Sequence, residues 1–206
     1  MSAAPWVPAD AGIDTLKEAA NECRGCELWE PATKVVFSAG NPAAEIALVG
    51  EQPGDMEDQR GIPFVGPAGK LLQRALADAG VAVQQVYVTN AVKHFRFTER
   101  GKRRIHATPL MSHVKACLPW LAEELRLVDP RLIVCLGATA AKSLLGPDFR
   151  LTQQRGEVLE LETPIGVRRV LATAHPSAVL RAQGPEHDTA YAALVADLRT
   201  ALVAIS

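Results

Sequence analysis

The stretch Gly50-Glu-Gln-Pro-Gly-Asp55, continuing through Gly61-Ile-Pro-Phe-Val-Gly-Pro-Ala-Gly69, decides how this chain is read. Ahead of it stands the apolar run Ile46-Ala-Leu-Val49, and behind it the amphipathic run Lys70-Leu-Leu-Gln-Arg-Ala-Leu-Ala77. A buried strand therefore empties into a loop rich in Gly and Pro, and the chain then enters a helix. In an open α/β sheet, ligands bind at the carboxyl ends of the strands, so a site is expected here. Pro fixes the path of such a loop, and Gly lets backbone N–H groups approach a ligand closely. An ordinary surface turn is the bland alternative.

The same pattern repeats outward from this loop. Four apolar runs read as buried strands: Glu45–Gly50, Val86–Asn90, Leu132–Gly137 and Val170–Ala174. Helical periodicity covers Ala68–Ala79, Ser112–Val128, Ala138–Leu145 and Thr189–Val203. Alternation of this kind predicts an α/β fold, a three-layer α/β/α arrangement around a four-stranded parallel sheet. The 206 residues suit one such domain, 1–206, with a full core. Three strands deliver polar residues at their ends, namely Glu51-Gln52, Asn90 and His175-Pro-Ser177, and a functional site requires these ends to share one cleft.

A formal net charge of −1 leaves no global field to attract nucleic acid, so any such contact must come from a local basic patch. One exists in Arg100-Gly-Lys-Arg-Arg-Ile-His106, where four of seven residues are cationic. It reads either as a phosphate-binding loop or as a solvated basic loop. The start, Met1-Ser-Ala-Ala-Pro-Trp6, has neither the basic nor the apolar region of a signal peptide. No apolar run approaches membrane-spanning length. A cytoplasmic protein without membrane contact is expected, in which cysteines serve as ligands or core residues more often than as disulfides.

Cys23-Arg-Gly-Cys26 is a C-x2-C pair whose spacing suits zinc or an iron–sulfur cluster equally. A thioredoxin-like redox pair would share the spacing but needs a preceding βαβ unit, which this segment lacks. Cys135 competes for a ligand place in such a site, but inside the apolar run Leu132-Ile-Val-Cys-Leu136 it reads first as a small buried hydrophobe. The glycines do not make a nucleotide loop. Gly69-Lys70 is followed by Leu71 rather than Ser or Thr, and Gly50 and Gly54 do not fit G-x-G-x-x-G.

The Gly50–Gly69 segment resembles the first motif of uracil-DNA glycosylases, nearest to the iron–sulfur-containing family-four type, and His175-Pro-Ser177 resembles the second. The resemblance implies a 4Fe–4S cluster held by Cys23, Cys26, His94 and Cys117, with His94 standing where the family usually has its remaining cysteine. It implies that Phe64 stacks on an extruded uracil, that the Asn90 amide reads its O4 and N3 edge, and that backbone N–H groups near Gln52 meet a carbonyl. His175 would donate to uracil O2 as the base leaves as an anion. Ser177 and Arg181 would grip phosphates. Gly54 stands where family-one enzymes place a Tyr that excludes thymine, which leaves Asp55 and its neighbours as candidates for that task. Gln52 stands at the place of their water-activating Asp; a neutral amide can orient water but is no base.

Lys102-Arg-Arg-Ile-His106, together with Glu51-Gln52 and His94, resembles the UdgX subfamily, whose members become covalently attached to their DNA product. By that resemblance His106 is a nucleophile toward sugar C1′, Glu51 accepts or shares its proton, and Lys102, Arg103 and Arg104 hold DNA. The expected partner is uracil-containing DNA, single-stranded and also duplex, and the expected state is a monomer. Two other readings stay open: an ordinary turnover glycosylase whose basic loop only binds DNA, and a non-catalytic iron–sulfur DNA-binding or redox-sensing protein.

Overall fold

The computed structural model describes residues 1–163 and 166–206. The chain begins with a short helix, α1 (Ile13–Ala19), then two strands, β1 (Ser38–Gly40) and β2 (Ile46–Gly50). Next come α2 (Asp55–Arg60), α3 (Pro67–Ala79) and β3 (Val86–Asn90). A hairpin of β4 (Phe97–Arg100) and β5 (Arg103–His106) precedes α4 (Met111–Val128), β6 (Leu132–Leu136), α5 (Ala138–Leu145) and the single turn α6 (Leu151–Gln154). Last are β7 (Val158–Thr163), β8 (Gly166–Thr173), α7 (Pro176–Arg181) and α8 (Pro185–Ile205).

Among the described residues the main sheet has six strands in the order β1-β3-β2-β6-β8-β7. The inner four, β3, β2, β6 and β8, are parallel, as the apolar runs predict, and β1 and β7 add an antiparallel strand at either edge. The four-stranded expectation is thus right about the parallel centre and misses both edges. β1 is three residues long, too short to carry a pattern. β7 instead alternates, with Leu159 and Leu161 partly buried and Glu160 and Glu162 facing out, so it never forms a continuous apolar run.

Every residue of β2 and β6 is buried, which is why these strands lie at the centre. Successive side chains point to opposite faces. Ile46 and Leu48 pack with Leu72 and Leu76 of α3 and Leu194 and Leu198 of α8. Ala47 and Val49 pack on the other face with Leu121 and Leu125 of α4, and Cys135 lies wholly buried in that same layer. Helices therefore cover both faces, giving the three layers. α3 shows how the sequence bounds such a helix. Pro67 fills its first turn, where a missing N–H costs nothing, and Gly80 closes it in the left-handed conformation at φ 81°.

Candidate functional site

The carboxyl ends of β2, β3, β6 and β8 open into one cavity of about 760 Å³. That volume lies within the usual range for small-molecule pockets. Glu51, Gln52, Phe64, Asn90, His106, His175, Ser177 and Arg181 all line it, so the three polar strand ends do converge. Asp55 does not line it.

Asn90 ends β3 with its side chain 2% exposed, and its Oδ1 is buried with no hydrogen-bond partner. A buried acceptor left unpaired is costly, so this one marks a place for an incoming donor. A side chain on Gly50 would come within 2.2 Å of that oxygen and 2.7 Å of the Phe64 ring, so glycine is needed to keep both groups in the pocket. Phe64 holds a left-handed backbone, φ 55°, and a Cβ on Gly69 would fall 1.7 Å from its carbonyl oxygen. The glycines thus fix where the aromatic ring stands.

Glu57 fastens this loop: its Oε1 accepts from Gly66 N–H at 2.7 Å and its Oε2 from Gly54 N–H at 3.1 Å. The sequence reading passed over Glu57. Its position three residues after Gly54, the residue that precedes α2, is the signal that a capping carboxylate leaves.

His175 caps α7. Its Nδ1 accepts the Ser177 backbone N–H at 3.1 Å and lies 2.8 Å from Ser177 Oγ. With Nδ1 used as an acceptor, the neutral ring carries its proton on Nε2. Desolvation, helped by the nearby Arg181 charge, lowers its pKa to about 4, so the ring is neutral near pH 7. Phe64 stands beside it, ring centroids 6.2 Å apart.

The basic segment is a two-stranded hairpin rather than an open loop. Its tip is Gly101-Lys102, with Gly101 at φ 62°, the left-handed position that a two-residue turn requires. Arg104, expected to hold DNA, instead forks between two carboxylates. It lies 2.6 Å from Asp55 Oδ1 and 2.6 Å from Asp58 Oδ2, and also donates to Thr33 Oγ1 at 3.0 Å. Asp58 is fully buried and also accepts the Thr33 N–H at 3.0 Å. Asp55, expected near uracil, and Arg104, expected on phosphate, therefore serve each other and tie the hairpin to α2. Lys102 and Arg103 remain exposed at the tip.

Gln52 closes the root of the hairpin. Its Nε2 donates to Arg96 O at 3.1 Å and Ala107 O at 3.2 Å, and its Oε1 accepts Arg96 N–H at 3.0 Å. Both of its amide hydrogens are thus committed to the backbone, which leaves only a second lone pair on Oε1 for a water or ligand. Above this clamp His106 stands with its side chain 49% exposed, Nε2 3.4 Å from Glu51 Oε1. The other carboxylate oxygen of Glu51 accepts the Thr139 hydroxyl at 2.5 Å.

Cys23, Cys26, His94 and Cys117 line a second, small cavity, to which Cys135 does not contribute. The Trp120 indole N–H donates to Cys23 Sγ at 3.3 Å. Burial pushes the Cys117 thiol up to about 12 and Cys26 upward, so neither is a reactive thiolate unaided. Burial likewise lowers His94 to about 4, leaving the neutral ring that can ligate a metal. Among the described residues no three His, Cys, Asp or Glu side chains converge as the ligands of one metal ion do. Between the two cavities runs a buried ion pair, Lys93 with Glu124, in which Lys93 Nζ also donates to the Asn90 carbonyl at 3.0 Å.

Fold and site together define an α/β protein with a strand-end pocket that joins a hydrogen-bonding amide, an aromatic ring and two histidines. The model of the uracil DNA glycosylase superfamily matches residues 37–199, and the chain belongs to that family. It is similar to the type-4 uracil-DNA glycosylase of Archaeoglobus fulgidus, 37% identical over 82% of this chain and 83% of that one. Its similarity to the type-4 enzyme of Thermotoga maritima is 34% over 84% and 86%, and to that of Sulfurisphaera tokodaii 35% over 82% and 76%. No helix among the described residues is long and apolar enough to cross a membrane.

Proposed function

We propose that this protein excises uracil from single-stranded and duplex DNA and then bonds through His106 to C1′ of the sugar it has exposed. The observation that carries the reading is the approach of His106 Nε2 to Glu51, 3.4 Å, inside the cavity that also holds Asn90 and His175. The extruded base enters that cavity and stacks on Phe64. Its N3–H satisfies the unpartnered Asn90 Oδ1. As the C1′–N1 bond breaks, its electron pair leaves with uracil, and the neutral His175 Nε2–H donates to O2, where negative charge grows. A lone pair on one nitrogen of neutral His106 then fills the cationic C1′, and the proton on the other nitrogen passes to the Glu51 carboxylate and on to solvent. The departing uracil anion takes up a proton, so the exchange balances. The hairpin holds the ring beside the sugar, and proximity lets it outcompete water.

The residues around the second cavity suit a 4Fe–4S cluster: Cys23, Cys26, His94 and Cys117 would hold it, three sulfurs with one neutral imidazole. Bound there, the cluster would brace the Cys23–Cys26 loop and would supply no step of glycosidic cleavage. Anaerobically purified protein should absorb in the visible range, and colourless protein without iron would remove the cluster.

Incubation with uracil-containing single-stranded DNA should give a species that migrates with DNA and survives heat and detergent. His106→Ser should abolish it while uracil is still released. A wild-type protein that releases many uracils per molecule and forms no adduct would establish the turnover reading instead. No uracil release at all would favour a non-catalytic DNA-binding protein.

A further inference from the structure

Glu51 has two oxygens and two different neighbours. Oε1 faces His106 Nε2 at 3.4 Å, while Oε2 accepts the Thr139 hydroxyl at 2.5 Å. Thr139 stands in the first turn of α5, directly after Gly137, and both line the strand-end cavity. Gly137 takes φ 93°, a conformation that favours glycine, and receives a hydrogen bond from neither Glu51 nor His106; its own N–H donates to Thr173 O at 2.8 Å. The turn that presents Thr139 is thus pinned to β8, the strand that leads to His175. Nothing in the proposed chemistry so far uses this hydroxyl.

We propose that Thr139 is a positioning residue: its hydroxyl holds the Glu51 carboxylate turned so that Oε1 is aimed at His106. The inference rests on the reading that Glu51 takes a proton during capture of the sugar. A carboxylate on a flexible side chain loses reach whenever it rotates, and one donor on the far oxygen removes that freedom without occupying the near one. The proton taken by Glu51 comes from the imidazole nitrogen opposite the one that bonds C1′, so Thr139 changes neither the atoms exchanged nor their balance. The other titratable groups lining the cavity are His106, His175, Glu57 and Arg181.

The test compares wild type with Thr139→Val, which keeps the shape and removes the donor, and Thr139→Ser, which restores it. Adduct and released uracil are measured in the same single-turnover reactions. In Thr139→Val the rate of adduct formation should fall about tenfold or more, the worth of one hydrogen bond to a charged group. Free abasic DNA should make up the difference. Thr139→Ser should recover the adduct. A Thr139→Val protein with wild-type capture, or a Thr139→Ser protein that does not recover it, would overturn the proposal. If wild type forms no adduct, the covalent reading fails by itself.

Discussion

His106 and His175 line the same cavity, yet the chain holds them by opposite means. His175 follows β8 and caps α7, with Nδ1 fixed by the Ser177 N–H and its basicity lowered by burial. His106 ends the second strand of an added hairpin, half exposed, with Glu51 near its Nε2. A group that must stay neutral and donate one hydrogen bond gains from rigidity and dehydration. A group that must move onto a carbon atom needs room and an adjacent proton acceptor. On the proposed reading the strand-end wall and the hairpin divide the work, the wall removing the base and the hairpin capturing the sugar.

The largest test of this division is His175→Ala. Removing one donor that faces developing negative charge costs about 100- to 1000-fold in rate. Single-turnover uracil release should fall by that factor while DNA affinity changes little. If release survives unchanged, His175 is only the cap of α7. The same histidine leaves a mark on stability. Its pKa lies at about 4 when folded, against 6.5 for an ordinary imidazole, so between these values the unfolded chain binds a proton that the folded chain does not. Stability contributed by the neutral ring is present above about pH 6.5 and is lost as pH falls toward 4. Urea denaturation across that window should show the decline, and His175→Gln should flatten part of it.

Next in size is Arg104→Ala, which strikes the hairpin. Arg104 binds Asp55, Asp58 and Thr33, so its loss frees the strand that carries His106 from α2. A displacement of about 1 Å at a reacting group can cost about 100-fold. Adduct formation should drop by up to that factor, and uracil release should drop far less. Equal losses in both would show that the hairpin and the wall are not separable.

What the sequence reveals follows the same boundary. The parallel centre is legible because β2 and β6 are apolar from end to end, and the pocket residues Glu51, Asn90 and His175 stand at or just beyond the ends of parallel strands. The hairpin is harder to read, because its chemistry depends on partners far away in the chain. Gln52 looks like a water-orienting amide until its bonds to Arg96 and Ala107, 44 and 55 residues on, are seen. Arg104 looks like a phosphate ligand because its charge is visible in sequence, whereas the buried Asp58 that claims it, 46 residues back, is not. Thr139 carries no signal beyond its place after a strand, and it matters only through the rotamer of Glu51. Glu57 and the alternating β7 were legible, the first as a helix cap and the second by its period of two.

The smallest predicted effect separates the cations of the hairpin from one another. Lys102 and Arg103 are exposed at the tip, while Arg104 is neutralised by two aspartates. A phosphate contact contributes affinity through released counterions, so each one lost lowers the salt slope of binding by about one. Lys102→Ala and Arg103→Ala should therefore weaken binding a few-fold and flatten its salt dependence, with adduct yield restored at saturating DNA. Arg104→Ala should do the reverse, leaving the salt slope nearly intact while capture fails even when every molecule is bound. Fluorescence anisotropy from low to high salt, with adduct yield measured on the same samples, reads both quantities. If Arg104→Ala also removes a full unit of slope, its charge reaches the DNA despite its two carboxylate partners. The hairpin would then hold the strand as well as the nucleophile, and the division between wall and hairpin would have to be redrawn through Arg104.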